Sequence, residues 1–151
     1  MRTYLVVIDE SPEAEIALRF AARRASKTGG GVLILAVVPK SEFVQWGGVQ
    51  ATMEEEALQR AETLVAGVAG ALMEESGVKP RFVVESGDPI ALVRKALEEN
   101  HDIAALVLAA AETGAPGPLV SHFAGHEAGK MSCPVMIIPG GLDHEAIDRL
   151  S

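Results

Sequence analysis

The chain has 151 residues, of which 48% are hydrophobic and 23% charged, a balance that excludes disorder and gives one domain of ordinary size with a real core. Its net charge of −8 argues against a nucleic-acid partner, which needs a basic face. No apolar run approaches the ~20 residues that cross a bilayer, and the one cysteine, Cys133, has no partner for an internal disulfide.

In chain order, residues 4–8 form the first aliphatic run. It meets Asp9 after only four apolar positions from Leu5, too short for the apolar core of a signal peptide, so a cytoplasmic protein is the default expectation. Ser11 is placed to cap a first helix with Pro12 at its first position. Ile16, Phe20 and Ala21 then share a face, and Gly29-Gly30-Gly31 ends the helix. The second run is GVLILAVV, residues 31–38. The connection over residues 39–50 carries Phe43 and Trp46. These aromatics either anchor the loop on its own domain, the favoured reading, or close over a ligand or partner.

A long second helix is expected over residues 51–76, with Leu58, Ala61, Val65, Val68 and Leu72 on one face and Gly77 ending it. The triplet Glu54-Glu55-Glu56 reads as a solvated face near its start. Residues 81–84 are the third and weakest strand. Asp88 caps a third helix with Pro89 at its first position, and Ile90, Val93 and Leu97 form its buried stripe. Residues 103–109 are the fourth strand, residues 118–130 a helix-like segment and residues 135–138 the fifth strand; the tail from Gly140 allows one or two polar helical turns. Near-continuous aliphatic runs alternating with helices are the pattern of βαβ units, hence an α/β domain with a parallel sheet.

Open parallel sheets bind ligands at the carboxyl ends of their strands. Three segments reach that edge: Asp9-Glu10-Ser11, Val37-Val38-Pro39 and residues 110–117. Asp9 can accept hydrogen bonds from an adenine amino group or a ribose hydroxyl, or reach a phosphate-bound metal; alternatively it caps the turn into the first helix. Gly114 and Gly117, spaced G-x-x-G between a strand and a helical segment, suit an anion held by backbone N–H groups. His122 and His126 lie four apart, but no third ligand stands at a recognisable spacing, so they read as a polar helix face. His122 is also a candidate phosphate contact. Cys133 reads as a buried, inert thiol. Neither a G-x-S-x-G elbow nor a P-loop is present, and nothing marks the chain as an enzyme.

VVIDES (6–11), LILAVVP (33–39), ESGDPIALVRKALEENHDIAALVLA (85–109) and SCPVMIIP (132–139), in this order and spacing, resemble the universal stress protein family over nearly the whole chain. The resemblance implies one domain over residues 1–151, a doubly wound five-stranded parallel sheet of order 3-2-1-4-5 with helices on both faces, and a homodimer. The dimer would form through the edge strand from Val135 to Ile138, which Pro134 and Pro139 bracket. It also implies a stress-response or regulatory protein that binds an adenine nucleotide, with Asp9 and Val37 at positions that contact adenine and ribose. Members that bind ATP resemble one another in a loop G-x-x-G, nine residues, then Gly and Ser or Thr. Here Gly114 and Gly117 supply the first pair, but Glu127-Ala128 stands where the second is expected. Aligning back from Cys133-Pro134 puts Ser121-His122 there instead. The ATP motif is incomplete on either alignment. The expectation is weak binding of a nucleotide or smaller anion through Asp9, Val37, Gly114, Gly117, Ser121 and His122, with Mg²⁺ only alongside a nucleotide. The alternatives are a nucleotide-independent dimeric partner-binding protein and an adenine-nucleotide hydrolase.

Overall fold

Five aliphatic segments pair in parallel, and the helices between them cover both faces of the resulting sheet. The computed structural model describes residues 2–9, 11–38 and 47–151, leaving aside the side chains of 47–54. The strands are β1 (Thr3–Ile8), β2 (Gly31–Val38), β3 (Arg81–Ser86), β4 (Ile103–Ala110) and β5 (Val135–Pro139). The helices are α1 (Ala14–Thr28), α2 (Gly47–Ser76), α3 (Pro89–Glu99), α4 (Pro118–Ser121) and α5 (His144–Leu150). The sheet order is β3-β2-β1-β4-β5. Leu5 stands opposite Leu33 on one side and Leu106 on the other, so β1 is the centre of the sheet.

Strand alternation splits the core in two. Tyr4, Val6, Ile34 and Val107 face Phe20 of α1, Val65 and Leu72 of α2 and Ile147 of α5. Leu5, Val7, Leu35 and Leu106 face Val93 of α3, together with Phe123 and Cys133. Leu5, Val6, Ile34, Leu106 and Val107 are wholly buried, and each contributes about 1.5–3 kcal/mol by leaving water. Both faces being covered is why these strands read as unbroken aliphatic runs.

Helix starts divide into those that follow the expected chemistry and one that does not. Asp88 accepts the Ala91 N–H at 3.1 Å and caps α3, with Pro89 in the first turn. Asp143 caps α5 in the same way, accepting from Ala146 N–H at 2.8 Å. α1 starts at Ala14 rather than Pro12, and Ser11 does not cap it. The Asp9 carboxylate takes both the Ser11 N–H, at 2.9 Å, and the Ser11 hydroxyl, so the side chain expected to cap is occupied upstream. α2 begins four residues ahead of the expected start; Val65 and Leu72 are buried on its inner face, and Glu55 and Glu56 are exposed as a solvated face requires. Phe43 and Trp46 lie outside the described residues.

The largest departure is over residues 118–130. No single helix runs there. One turn of α-helix, α4, passes into a wider π-helical turn at His122–His126 and a 3-10 turn at Ala128–Lys130. Gly125 and Gly129 weaken the α register. The wider winding, with the Glu127 N–H on the His122 carbonyl at 3.2 Å, lets Arg94 of α3 hold both His122 and Glu127. Phe123, 1% exposed, pins the segment to the core. Among the described residues no helix is long and apolar enough to cross a membrane.

Candidate functional site

β1 leads to β2 on one side, while its other neighbour, β4, arrives much later in the chain. That reversal opens a crevice beyond the carboxyl ends of β1 and β4, where ligands of doubly wound sheets bind. Asp9, one residue beyond β1, stands at its centre and is exposed.

Two clefts meet at Asp9. The first, about 90 Å³, lies between the start of α1 and the loop after β4; Asp9, Ser11, Glu13, Pro116, Gly117 and Leu119 are among its lining. The second, about 200 Å³, lies between the ends of β1 and β2 and the inner side of α2, where Val37, Ala36, Ala61, Leu64 and Arg60 join Asp9. The second is an apolar slot with one carboxylate and one guanidinium. Each alone falls short of the roughly 300–1,000 Å³ usual for small-molecule sites. Among the described residues, the Asp9 Oδ2 takes no hydrogen bond, which leaves it free to accept one from a ligand.

The structure therefore brings Asp9, Val37 and Gly117 to one edge. Gly117 adopts φ +116° and ψ 155° ahead of α4, a conformation that requires glycine. Gly114, at φ +75°, is exposed and lines neither cleft. The loop closes beneath it through the Ala111 N–H on the Pro116 carbonyl at 3.1 Å. Ser121 and His122 line neither cleft either. The Ser121 N–H bonds the Gly117 carbonyl at 3.0 Å. His122 turns to α3, its Nε2 2.9 Å from Arg94 Nη2, and its ring stands edge-on to Phe123 at 4.9 Å. Glu127 pairs with the same guanidinium at 3.4 Å.

Glu13 and Arg60 were not singled out from sequence. Glu13 follows Asp9 by four residues in the turn leading to α1. Ala57, Arg60, Ala61 and Leu64 have the 3-1-3 spacing of one helix face, a signal that groups Arg60 with its apolar neighbours along the slot, where Arg60 and Leu64 are exposed. Among the described residues no group of three His, Cys, Asp or Glu side chains could hold a metal ion. Burial pushes the Cys133 thiol up from its ordinary range, which keeps it protonated.

A doubly wound sheet of order 3-2-1-4-5, with a carboxylate at its switch point and a glycine loop after the fourth strand, defines an open α/β domain of the kind whose ligands bind at the carboxyl edge of the sheet. The sequence pattern of the universal stress protein family matches residues 1–139, and the chain belongs to that family. Its fold is similar to the universal stress protein UspA from Lactobacillus plantarum, at 19% identity, with 91% of this chain and 97% of that one covered and a TM-score of 0.76. It is also similar to the universal stress protein from Archaeoglobus fulgidus in complex with dAMP, at 20% identity, 91% and 97% coverage and a TM-score of 0.55. A universal stress protein in complex with cAMP is similar at 14% identity, 91% and 96% coverage and a TM-score of 0.57. At these identities the likeness is one of fold. No curated protein matches the chain significantly.

Proposed function

We propose that the chain is a stress-response regulatory protein that binds an adenine nucleotide at the carboxyl edge of its sheet, weakly and without turning it over. The observation that carries this reading is Asp9, shared by an apolar slot and a glycine-walled cleft. The slot suits the flat face of a purine, Asp9 Oδ2 suits an amino or hydroxyl donor, and Gly117 walls the second cleft. Two family members of the same fold are in complex with dAMP and cAMP, which supports an adenine ligand. Among the described lining residues there is no nucleophile beside a histidine base, which favours binding over catalysis. Mg²⁺ enters this reading only with the nucleotide's phosphates.

The protein acts as a homodimer, in the same reading, through β5. Among the described residues this edge strand pairs only with β4, is short and apolar, and leaves Ile137 36% exposed. Thermal unfolding tests the ligand part. A nucleotide that binds only the native state raises the midpoint, by the equivalent of about 2.7 kcal/mol at ~100 times Kd. No shift with any adenine nucleotide at millimolar concentration rejects it. A dimeric partner-binding protein without nucleotide is the second reading. It is favoured by one observation: Ser121, His122 and Glu127 are turned away from the clefts or bound to α3.

A further inference from the structure

The sheet has a second edge, far from β5. Among the described residues β3 pairs with β2 alone. Its first half is open on both faces. Phe82, opposite Ile34 on the α1–α2 face, is 43% exposed, and Val83, opposite Leu35 on the α3 face, is 42% exposed. Edge strands of soluble proteins are commonly blunted by a central charge, a proline or a bulge. The middle of β3 is Phe82-Val83-Val84 in unbroken register with β2, and its charges stand on either side, Arg81 before and Glu85 after.

The backbone decides which residues a further strand can meet. The Gly87 N–H donates to the Val38 carbonyl of β2 at 3.2 Å. Main-chain groups alternate sides along a strand, so Arg81, Val83 and Glu85 turn theirs to β2, and Phe82 and Val84 turn theirs outward. An added strand must set outward-facing residues against outward-facing residues. For an antiparallel copy of β3, the registers that do so over the apolar middle oppose Phe82 to itself, Val84 to itself, or Phe82 to Val84. The first sets Arg81 against Val83, and the second sets Val83 against Glu85. Only the third sets Arg81 against Glu85, with Val83 facing its own copy on the two-fold axis.

We propose that β3 is the docking edge for a second copy of this chain, paired antiparallel in that third register. Phe82 and Val84 exchange both main-chain hydrogen bonds with Val84 and Phe82 of the copy, and opposite charges close each end of the valine pair. Pro80, which meets Ser86 of the copy, has no N–H and ends the ladder there. Both charged side chains keep capacity for the contact. Among the described residues Arg81 meets Asp102 through Nη2, at 3.3 Å, and Glu85 meets Lys95 through Oε1, at 3.0 Å. Across the axis these pairs join into a row of alternating sign, Asp102, Arg81, Glu85 and Lys95, and networks hold better than isolated surface pairs. The contact leaves β5 untouched and is independent of any nucleotide. One short strand pair gives an interface at the small end, below about 1,200 Å², so the association is weak.

Sedimentation velocity of the full chain between about 10 µM and about 1 mM tests this. Mean mass is expected to rise with concentration, and to do so also in Ile137→Lys, which charges the β5 edge. Arg81→Glu and Glu85→Arg each set like charges across the axis and should weaken the association at least about tenfold. The two single variants mixed in equal amounts carry carboxylates on one chain and guanidinium groups on the other, so association returns. Val83→Lys, which sets two ammonium groups face to face, abolishes it. All of these positions are at the surface, and melting curves establish that each variant is folded. Association that disappears in Ile137→Lys belongs to β5 and overturns the proposal while supporting the β5 dimer. Association retained by both single variants, or not restored by mixing them, overturns the register and the proposal with it. No association at any concentration overturns the β3 and β5 contacts together.

Discussion

The two walls of the crevice are built differently. On the β1–β2 side, Asp9 directly follows β1 and Val37 lies in the last pleat of β2, backed by the aliphatic packing of Val6, Ile34 and Ala36. On the β4 side, an exposed glycine loop leads into a segment that changes winding twice within thirteen residues. The first wall is placed by the sheet itself. The second is held by local devices: Phe123 in the core, Arg94 gripping His122 and Glu127, and the unusual backbone of Gly117. A strand end inherits its position from many neighbours, whereas an irregular segment depends on a few residues that can be changed one at a time. In the proposed reading, the wall that meets a base and sugar is therefore the one fixed by the sheet, and the wall that meets phosphate is the one open to change.

The comparison breaks most directly at Phe123. Its side chain is 1% exposed, so Phe123→Ala is expected to cost about 3–5 kcal/mol. Denaturant unfolding measures this; a loss below about 1 kcal/mol would show that the segment is not anchored through the core. Next comes Gly117. A β-carbon there meets nothing within 4 Å, so Gly117→Ala isolates the backbone cost of φ +116°, expected at about 1–3 kcal/mol. Gly114→Ala, in an exposed loop at φ +75°, should cost no more than about 1–2 kcal/mol. The reverse ranking would place the constrained point of the loop at its tip.

Asp9→Asn probes the first wall. It keeps an oxygen for the Ser11 N–H, so stability should change by less than about 1 kcal/mol. Affinity for an adenine nucleotide should nonetheless fall about tenfold or more, the scale of a lost hydrogen bond to a charged group. Calorimetry on the variant checks both numbers at once.

The smallest effect concerns acid. The Thr3 hydroxyl donates to Asp102 Oδ2 at 2.8 Å, and this bond, aided by Arg81, holds the Asp102 carboxyl below its usual range. Arg19 does the same for Asp148 of α5. A carboxyl lowered on folding contributes stability that is complete above the ordinary carboxylate range and is lost as pH falls through the folded value. Thr3→Val should therefore lower stability slightly at neutral pH and lessen its decline between roughly pH 5 and pH 2, so that the variant and the parent chain converge in acid. Asp102 is largely exposed, so solvent limits the effect. An acid branch identical to that of the parent chain would refute the assignment.

How much was legible follows the same division. The five strands, their parallel pairing and the capped start of α3 were written in residue types: unbroken aliphatic runs, and Asp-Pro ahead of an amphipathic stripe. Sheet order came with the family resemblance, whereas the glycine loop after β4 was legible in the G-x-x-G spacing of Gly114 and Gly117. The start of α1 was misread because Ser11 has two competing partners, and sequence does not say that Asp9 takes its hydroxyl. Residues 118–130 were misread because the helical register there is set by tertiary contacts. Arg94 lies 28 residues upstream of His122, a separation that no local pattern reports. Glu13 escaped notice because α1 was expected to begin at Pro12, which put Glu13 inside the helix rather than in the turn that lines a cleft with Asp9.

The central position of β1 also governs the order in which the protein can assemble. Its neighbour β2 is synthesised at once, but its other neighbour begins at Ile103, and the Thr3–Asp102 bond spans 99 positions. While a ribosome is still making the second half, β1, β2 and β3 can pair and leave the far edge of TYLVVI open. An aliphatic strand with one unpaired edge is a template for another chain. The nascent protein thus passes through a period in which its best-packed strand is its greatest aggregation hazard, and the arrival of β4 ends it.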